Sequence, residues 1–245
     1  MIYGIDHIVL AVPGEERSRI ADGLLGAGFE ATPLDLDFPE LSAASESFAM
    51  ASGGYVELVY EREPGPAPAV WFAGAPRVIG VGFSSDDFDH DVAAWGEPDG
   101  MWRMNENKPL PDGSVLNIHA AGPHPHLEPF YVFVMDTPVP LFARLGAEPR
   151  LVRLTFSGAE AGTWRERLTA WLALVGPAIG AVELRFEETD EAGVRVTPAF
   201  VAPGPPAPIP LAAGAIVFAS SGGVAAAPGA ESQEPDQPGN NQDQG

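Results

Sequence analysis

The chain has 245 residues, with 13 Lys plus Arg against 34 Asp plus Glu, no Cys, and a formal charge of −21 at pH 7. That sign repels phosphate backbones and anionic lipid surfaces, so neither nucleic acid nor a membrane is expected as a partner. The lack of Cys removes disulfides, thiolate metal ligands and thiol nucleophiles.

A 45% hydrophobic and 9% aromatic composition is that of a globular protein. A chain of this size can bury roughly 70% of its unfolded surface. The opening MIYGIDHIVLAVPG has no basic region and sets Asp6 and His7 inside its apolar stretch, which does not read as a secretory signal. The longest apolar run, Ala170 to Val182, contains Pro177 and falls short of the roughly 20 residues that span a bilayer. A cytoplasmic protein is the expectation.

In chain order, the first β-type run is Asp6-His7-Ile8-Val9-Leu10, and it is followed by a helix start at Pro13-Gly14-Glu15 with Ile20 and Leu24 at i,i+4. Strand-like runs follow at Ser47 to Ala51 and Tyr55 to Tyr60. Ile79-Gly80-Val81-Gly82-Phe83 repeats the first run 73 residues later, with Phe88, Val92 and Trp95 as its helix stripe and strands at Val115 to His119 and Phe130 to Met135. A third copy, Val152-Arg153-Leu154-Thr155-Phe156, lies 73 residues further on. Its helix stripe runs from Trp164 through Leu168, Trp171 and Leu172 to Val175, and strands are expected at Val182 to Phe186, Val194 to Phe200 and Ala215 to Ala219. Ala202 to Pro210 reads as a stiff extended connector. The pattern is a repeated βαβββ unit over 1–72, 73–148 and, in divergent form, 149–220. The Pro-, Gly- and Gln-rich acidic tail, 221–245, cannot bury enough apolar area to offset its ordering entropy and is expected to be disordered.

GIDHIVLAVP followed by a helix, LLGAGFEATP and GGYVELVY resembles the vicinal oxygen chelate superfamily of glyoxalases, bleomycin-resistance proteins and extradiol dioxygenases. The nearest likeness is to glyoxalase-like domain proteins. The resemblance covers Met1 to Phe156 well and the remainder weakly. It implies an α+β fold in which repeated βαβββ modules form curved mixed sheets around a cavity, with a divalent metal held by the first and last strands of paired modules.

Strand alternation places Ile5, His7, Val9 and Ala11 on one face of the first strand and Ile8, Leu10 and Val12 on the other, which should meet the helix. Tyr55, Glu57 and Val59 likewise share a face, so His7 and Glu57 can look into one cavity. An imidazole and a carboxylate suit Zn, Ni, Mn or Fe(II), but a catalytic metal usually has three protein ligands. The second copy carries Gly80 at the His7 position and, in this alignment, Phe133 at the Glu57 position; the third carries Arg153 and Val217. His119 is the nominated third ligand, with His124, His126 and Glu128 as further candidates. His90, among Asp87, Asp89 and Asp91, reads as part of an exposed helical face.

Tyr55, Gly80, Gly82, Tyr131 and Phe133 are expected to bind substrate by leaving room in the cavity or walling it with rings, although the same residues suit plain packing. Arg153 could meet a substrate carboxylate, or a salt bridge could hold it. Two readings stay open. In one, a metal on His7, Glu57 and His119 serves a lyase, isomerase or dioxygenase, with Glu57 moving a proton. In the other, the cavity is metal-free and sequesters a small organic molecule, as in bleomycin resistance. A small-molecule ligand is common to both, and a homodimer is one way for the third module to find a pair.

Overall fold

The computed structural model describes residues 2–38, 42–51, 54–62, 70–96, 101–109, 113–123, 129–136, 148–176, 182–192, 195–203, 207–212 and 214–220. The tail at 221–245 and the candidates His124, His126 and Glu128 lie outside the described residues.

The first unit is β1 (Ile2–Val12), α1 (Arg17–Gly26), β2 (Glu30–Phe38), β3 (Ala43–Ala49) and β4 (Tyr55–Glu61). The second is β5 (Arg77–Ser85), α2 (Phe88–Trp95), β6 (Trp102–Pro109), β7 (Val115–Gly122) and β8 (Phe130–Asp136). Together they form one curled eight-stranded mixed sheet in the order β2-β3-β4-β1-β5-β8-β7-β6. Each unit runs outward from a parallel pair, β1 with β4 and β5 with β8. The two units join antiparallel through β1 and β5.

The pairing of β1 with β5 explains the 73-residue repeat in space. His7 lies opposite Gly82 and Val9 opposite Gly80, on either side of the Ile8–Val81 pair. A local twofold through that central pair therefore exchanges His7 with Gly80 and Val9 with Gly82, the same correspondence that the sequence offset gives.

The third unit departs from this plan. It comprises β9 (Arg150–Gly158), α3 (Ala161–Val175), β10 (Glu183–Glu188), β11 (Arg195–Ala202), β12 (Ile209–Leu211) and β13 (Gly214–Ser220). Its sheet is ordered β10-β9-β11-β13-β12. Here the strand after the helix pairs directly and in parallel with the one before it, whereas β2 and β6 lie at the far edges of the large sheet. Within the expected connector, Ile209–Leu211 forms a short strand because Ile209 and Leu211 are buried while Pro210 faces out.

Packing follows strand parity. On the convex side of the large sheet, Ile8, Leu10, Val12, Val56, Leu58, Val81, Phe83, Phe130 and Val132 merge with Ile20 and Leu24 of α1 and with Phe156, Trp164, Leu168 and Trp171 of the third unit in one core. Burying such side chains contributes about 1.5–3 kcal/mol each. The third unit thus covers the convex side: Trp171 lies 4.6 Å from Trp95 and 5.5 Å from Phe83 between ring centroids, and its indole N–H donates to the Asp91 carbonyl at 2.8 Å.

Two sequence expectations fail locally. Ile5 packs against the convex core rather than beside His7, because the β1–β5 register shifts between the two residues. Asp91 is fully buried rather than on an exposed face. It accepts from the Ser85 hydroxyl at 2.7 Å and pairs with the His90 ring at 2.9 Å, while Asp87 caps α2 by accepting from the His90 amide. These bonds satisfy polar groups at the helix start.

Candidate functional site

The concave side of the large sheet encloses a cavity of about 80 Å³. Its floor comes from the central strands: His7 and Val9 on β1, Tyr55, Glu57 and Val59 on β4, Ile79 and Gly80 on β5, and Tyr131 and Phe133 on β8. Edge elements supply the walls, with Leu36 and Phe38 from β2, Trp102 and Met104 from β6, Ile118 and Ala120 from β7, and Trp71 from a single 3-10 turn at Val70–Phe72. Among the described lining residues, Glu57 and His7 are the only ionisable groups besides the tyrosines, and none is Lys or Arg.

His7 is held on every side. Its Nδ1 lies 2.8 Å from Asp6 Oδ1, which fixes the tautomer with the proton toward the carboxylate. Nε2 pairs with the Tyr131 hydroxyl. The imidazole stacks on Tyr55, with centroids 4.5 Å apart and planes at 12°, and meets the edge of Phe133 at 4.4 Å. A Cβ on Gly82 would stand 2.7 Å from His7 Cε1, and one on Gly80 would stand 2.8 Å from Tyr131 Cε1. The two glycines do leave room, and the rings of His7 and Tyr131 occupy it.

Glu57 is 8% exposed, and its Oε1 has no hydrogen-bond partner among the described residues. Across the β3–β4 pair Ser47 is directly opposite Glu57, and Ser45 is opposite Val59, so both hydroxyls share Glu57's face. They too are buried and unpaired. Burial, then the charges of Glu57 and Asp6, hold the Tyr131 phenol well above its ordinary pKa of 10.0. Burial, then Asp6 and Glu57, do the same for Tyr55. Both stay protonated at neutral pH.

The ladders correct the sequence alignment at one residue. Val9 pairs with Glu57 on β4, and its twofold mate Gly82 pairs with Tyr131 on β8. The residue equivalent to Glu57 is therefore Tyr131, not Phe133, which lies two residues further along the strand. Sequence spacing alone could not give this, because the register of β8 against β5 is fixed by pairing across a long connection.

Other nominated residues lie elsewhere. His119 alternates with Ile118 and Ala120, which line the cavity; its own ring points to the helix side, 5.9 Å from Phe88, and its Nδ1 lies 2.8 Å from Asn105 Oδ1. The structure therefore does not bring it to His7 and Glu57. Arg153 is in the second sheet, 3.9 Å from Glu183, and the cavity lining does not include it. Sequence reading missed Trp71, Trp102, Leu36, Phe38 and Met104. Of these, the residues on β2 and β6 sit on edge strands whose alternation with charged residues was the available signal.

No family model matches the sequence, and no curated protein matches it. Solved structures do. A hypothetical protein from Staphylococcus aureus is 8% identical with a TM-score of 0.59, the match covering 90% of this chain and 100% of that one. A fusion of a xylose isomerase-like TIM barrel with a 4-hydroxyphenylpyruvate dioxygenase is 11% identical with a TM-score of 0.52, covering 82% of this chain but only 37% of the fusion. At such identities the likeness is one of fold. The chain has the vicinal oxygen chelate, or glyoxalase-like, fold. Among the described residues no helix is long and apolar enough to cross a membrane.

Proposed function

We propose that the concave cavity binds a small organic molecule and holds no resident divalent metal. In this fold the resemblance assigns a metal to four positions on the first and last strands of the paired modules, which here are His7, Glu57, Gly80 and Tyr131. Gly80 offers no ligand atom. The Tyr131 phenol keeps its proton, so it is a weak ligand, and its hydroxyl occupies His7 Nε2, the nitrogen a metal would need. Among the described residues no three His, Cys, Asp or Glu side chains converge. The donor set does not fit a divalent ion, which requires deprotonated ligands in sufficient number.

What the cavity does fit is an apolar body. Its walls are aromatic and aliphatic with few polar groups, as in small-molecule sites generally, and 80 Å³ is well beyond the roughly 10–15 Å³ that one water needs. The observation that carries the reading is the pairing of Tyr131 with His7 Nε2. It occupies the imidazole and leaves the Glu57 carboxylate facing the space.

The test has two readouts on the same protein. Elemental mass spectrometry after incubation with Zn, Ni, Mn or Fe(II) and desalting should find substoichiometric metal, whereas Tyr131→Glu, which restores a carboxylate and frees Nε2, should retain more. Quenching of tryptophan fluorescence, with Trp71 and Trp102 in the lining, should report saturable binding of small aromatic compounds by the wild type. Near-stoichiometric metal in the wild type that His7→Ala abolishes would overturn the reading.

A further inference from the structure

We propose that the ligand is a small organic ammonium ion, a protonated amine on a compact apolar or aromatic body. This rests on the metal-free cavity above and names its ligand class. The first observation is that the Glu57 carboxylate is buried and that its Oε1 has no hydrogen-bond partner among the described residues. Such a group costs stability unless something supplies a donor. Among the described residues that line the cavity there is no Lys or Arg that could do so, and a ligand carboxylate would set a second acidic group next to the first.

The second observation is the ring set. Phe38, Tyr55, Trp71, Trp102, Tyr131 and Phe133 all line the same space. Aromatic faces attract cations, most strongly where water is excluded, and a cage of rings is the usual device for holding an organic ammonium group. Neutral apolar ligands would use the rings equally well, but they would leave Glu57 unpaired.

The third is the row of unpaired oxygens. Ser47 stands opposite Glu57 on the same face of the sheet, and its hydroxyl also lacks a partner among the described residues. A primary ammonium donates up to three hydrogen bonds and accepts none, which matches a carboxylate beside a hydroxyl oxygen better than an alcohol or amide does. The chain's net charge of −21 raises the local concentration of cations around it.

The experiment uses the full chain at pH 7 with three ring-matched probes, benzylamine, benzyl alcohol and benzoate, followed by calorimetry and tryptophan fluorescence. Benzylamine should bind about tenfold or more tighter than benzyl alcohol, as expected for a charge-assisted hydrogen bond, and benzoate should not bind. Glu57→Gln, which preserves shape, should lose about that factor for benzylamine and leave benzyl alcohol within about twofold, and Ser47→Ala should lose a smaller factor for the amine. Equal affinity for amine and alcohol, or amine binding that survives Glu57→Gln, would overturn the ammonium assignment while leaving the cavity reading intact; a water molecule would then be the partner of Glu57. Failure of all three probes to bind would remove both. The comparison of amine with alcohol needs no variant, so it stands even if a substitution unfolds the chain.

Discussion

Along β1, Ile8, Leu10 and Val12 point one way and are fully buried against aliphatic and aromatic neighbours, whereas His7 points the other way and is buried too, but among hydroxyls, carboxylates and ring faces. β4 repeats the contrast with Val56 and Leu58 against Glu57. The same strands thus present a convex face on which every contact adds stability and a concave face that carries polar groups at a cost. Burial alone does not tell the two apart; what separates them is whether the buried polar atoms have partners.

The sharpest way to break that comparison is to cut into the convex side. Phe83 is completely buried and meets Phe130 and Trp171, where the two modules and the third unit join. Phe83→Ala should cost about 3–5 kcal/mol in denaturant unfolding. A loss under about 1 kcal/mol would mean that the third unit is not part of the same core.

The next effect tests how the concave face is filled. Gly82→Ala puts a methyl 2.7 Å from His7 Cε1 and should cost about 1–3 kcal/mol by overpacking. In a His7→Ala background the same change should be nearly free, giving a coupling that a double-mutant cycle reads directly. Independent costs would show that the glycine is needed for another reason.

The convex face was legible in the sequence because a period-two apolar pattern and a 3.6-period stripe are local signals. The pairing of His7 with Glu57 on one face was legible for the same reason, and the 73-residue offset even matched the spatial twofold between β1 and β5. What was not legible depended on contacts between distant segments. Tyr131 rather than Phe133 holds the Glu57 position because of how β8 registers on β5, and Asp91 is buried because α3 lands on α2. Trp71 reaches the cavity from a turn, where alternation assigns nothing, and Trp102 from an edge strand whose alternation with charged residues marks a face but not which cavity that face meets. The third unit kept its order along the chain but not across its sheet, since a βαβ crossover can pair its strands directly or send the second one to an edge.

A smaller effect distinguishes the faces by pH. The phenols of Tyr55 and Tyr131 are held above their ordinary value of 10.0 in the folded chain. Their pKa is raised on folding, so the stability they contribute is fully present below pH 10 and is lost as pH rises from there toward the folded values. In that range the unfolded chain has released protons that the folded chain retains. Each tyrosine should add a slope of about 1.4 kcal/mol per pH unit. Unfolding followed from pH 8.5 to 11 should show this decline, and Tyr131→Phe should remove about half of it. An unchanged slope would mean that the Tyr131 hydroxyl ionises freely and is not held among Glu57, Asp6 and the rings.

The smallest predicted change in stability is the most telling, because its sign is opposite to the first. Glu57→Leu removes a buried carboxylate whose Oε1 has no partner among the described residues and replaces it with a side chain suited to a lining that includes Phe133, Ile118 and Val59. Replacing an unpaired buried charge by an apolar group usually stabilises, here by about 1 kcal/mol. Binding of benzylamine should be lost in the same variant. A gain in melting temperature together with a loss of binding is the signature of a residue kept for its ligand rather than for the fold. A loss of stability would instead show that the carboxylate is already paired in the free protein and that the concave face obeys the same rule as the convex one.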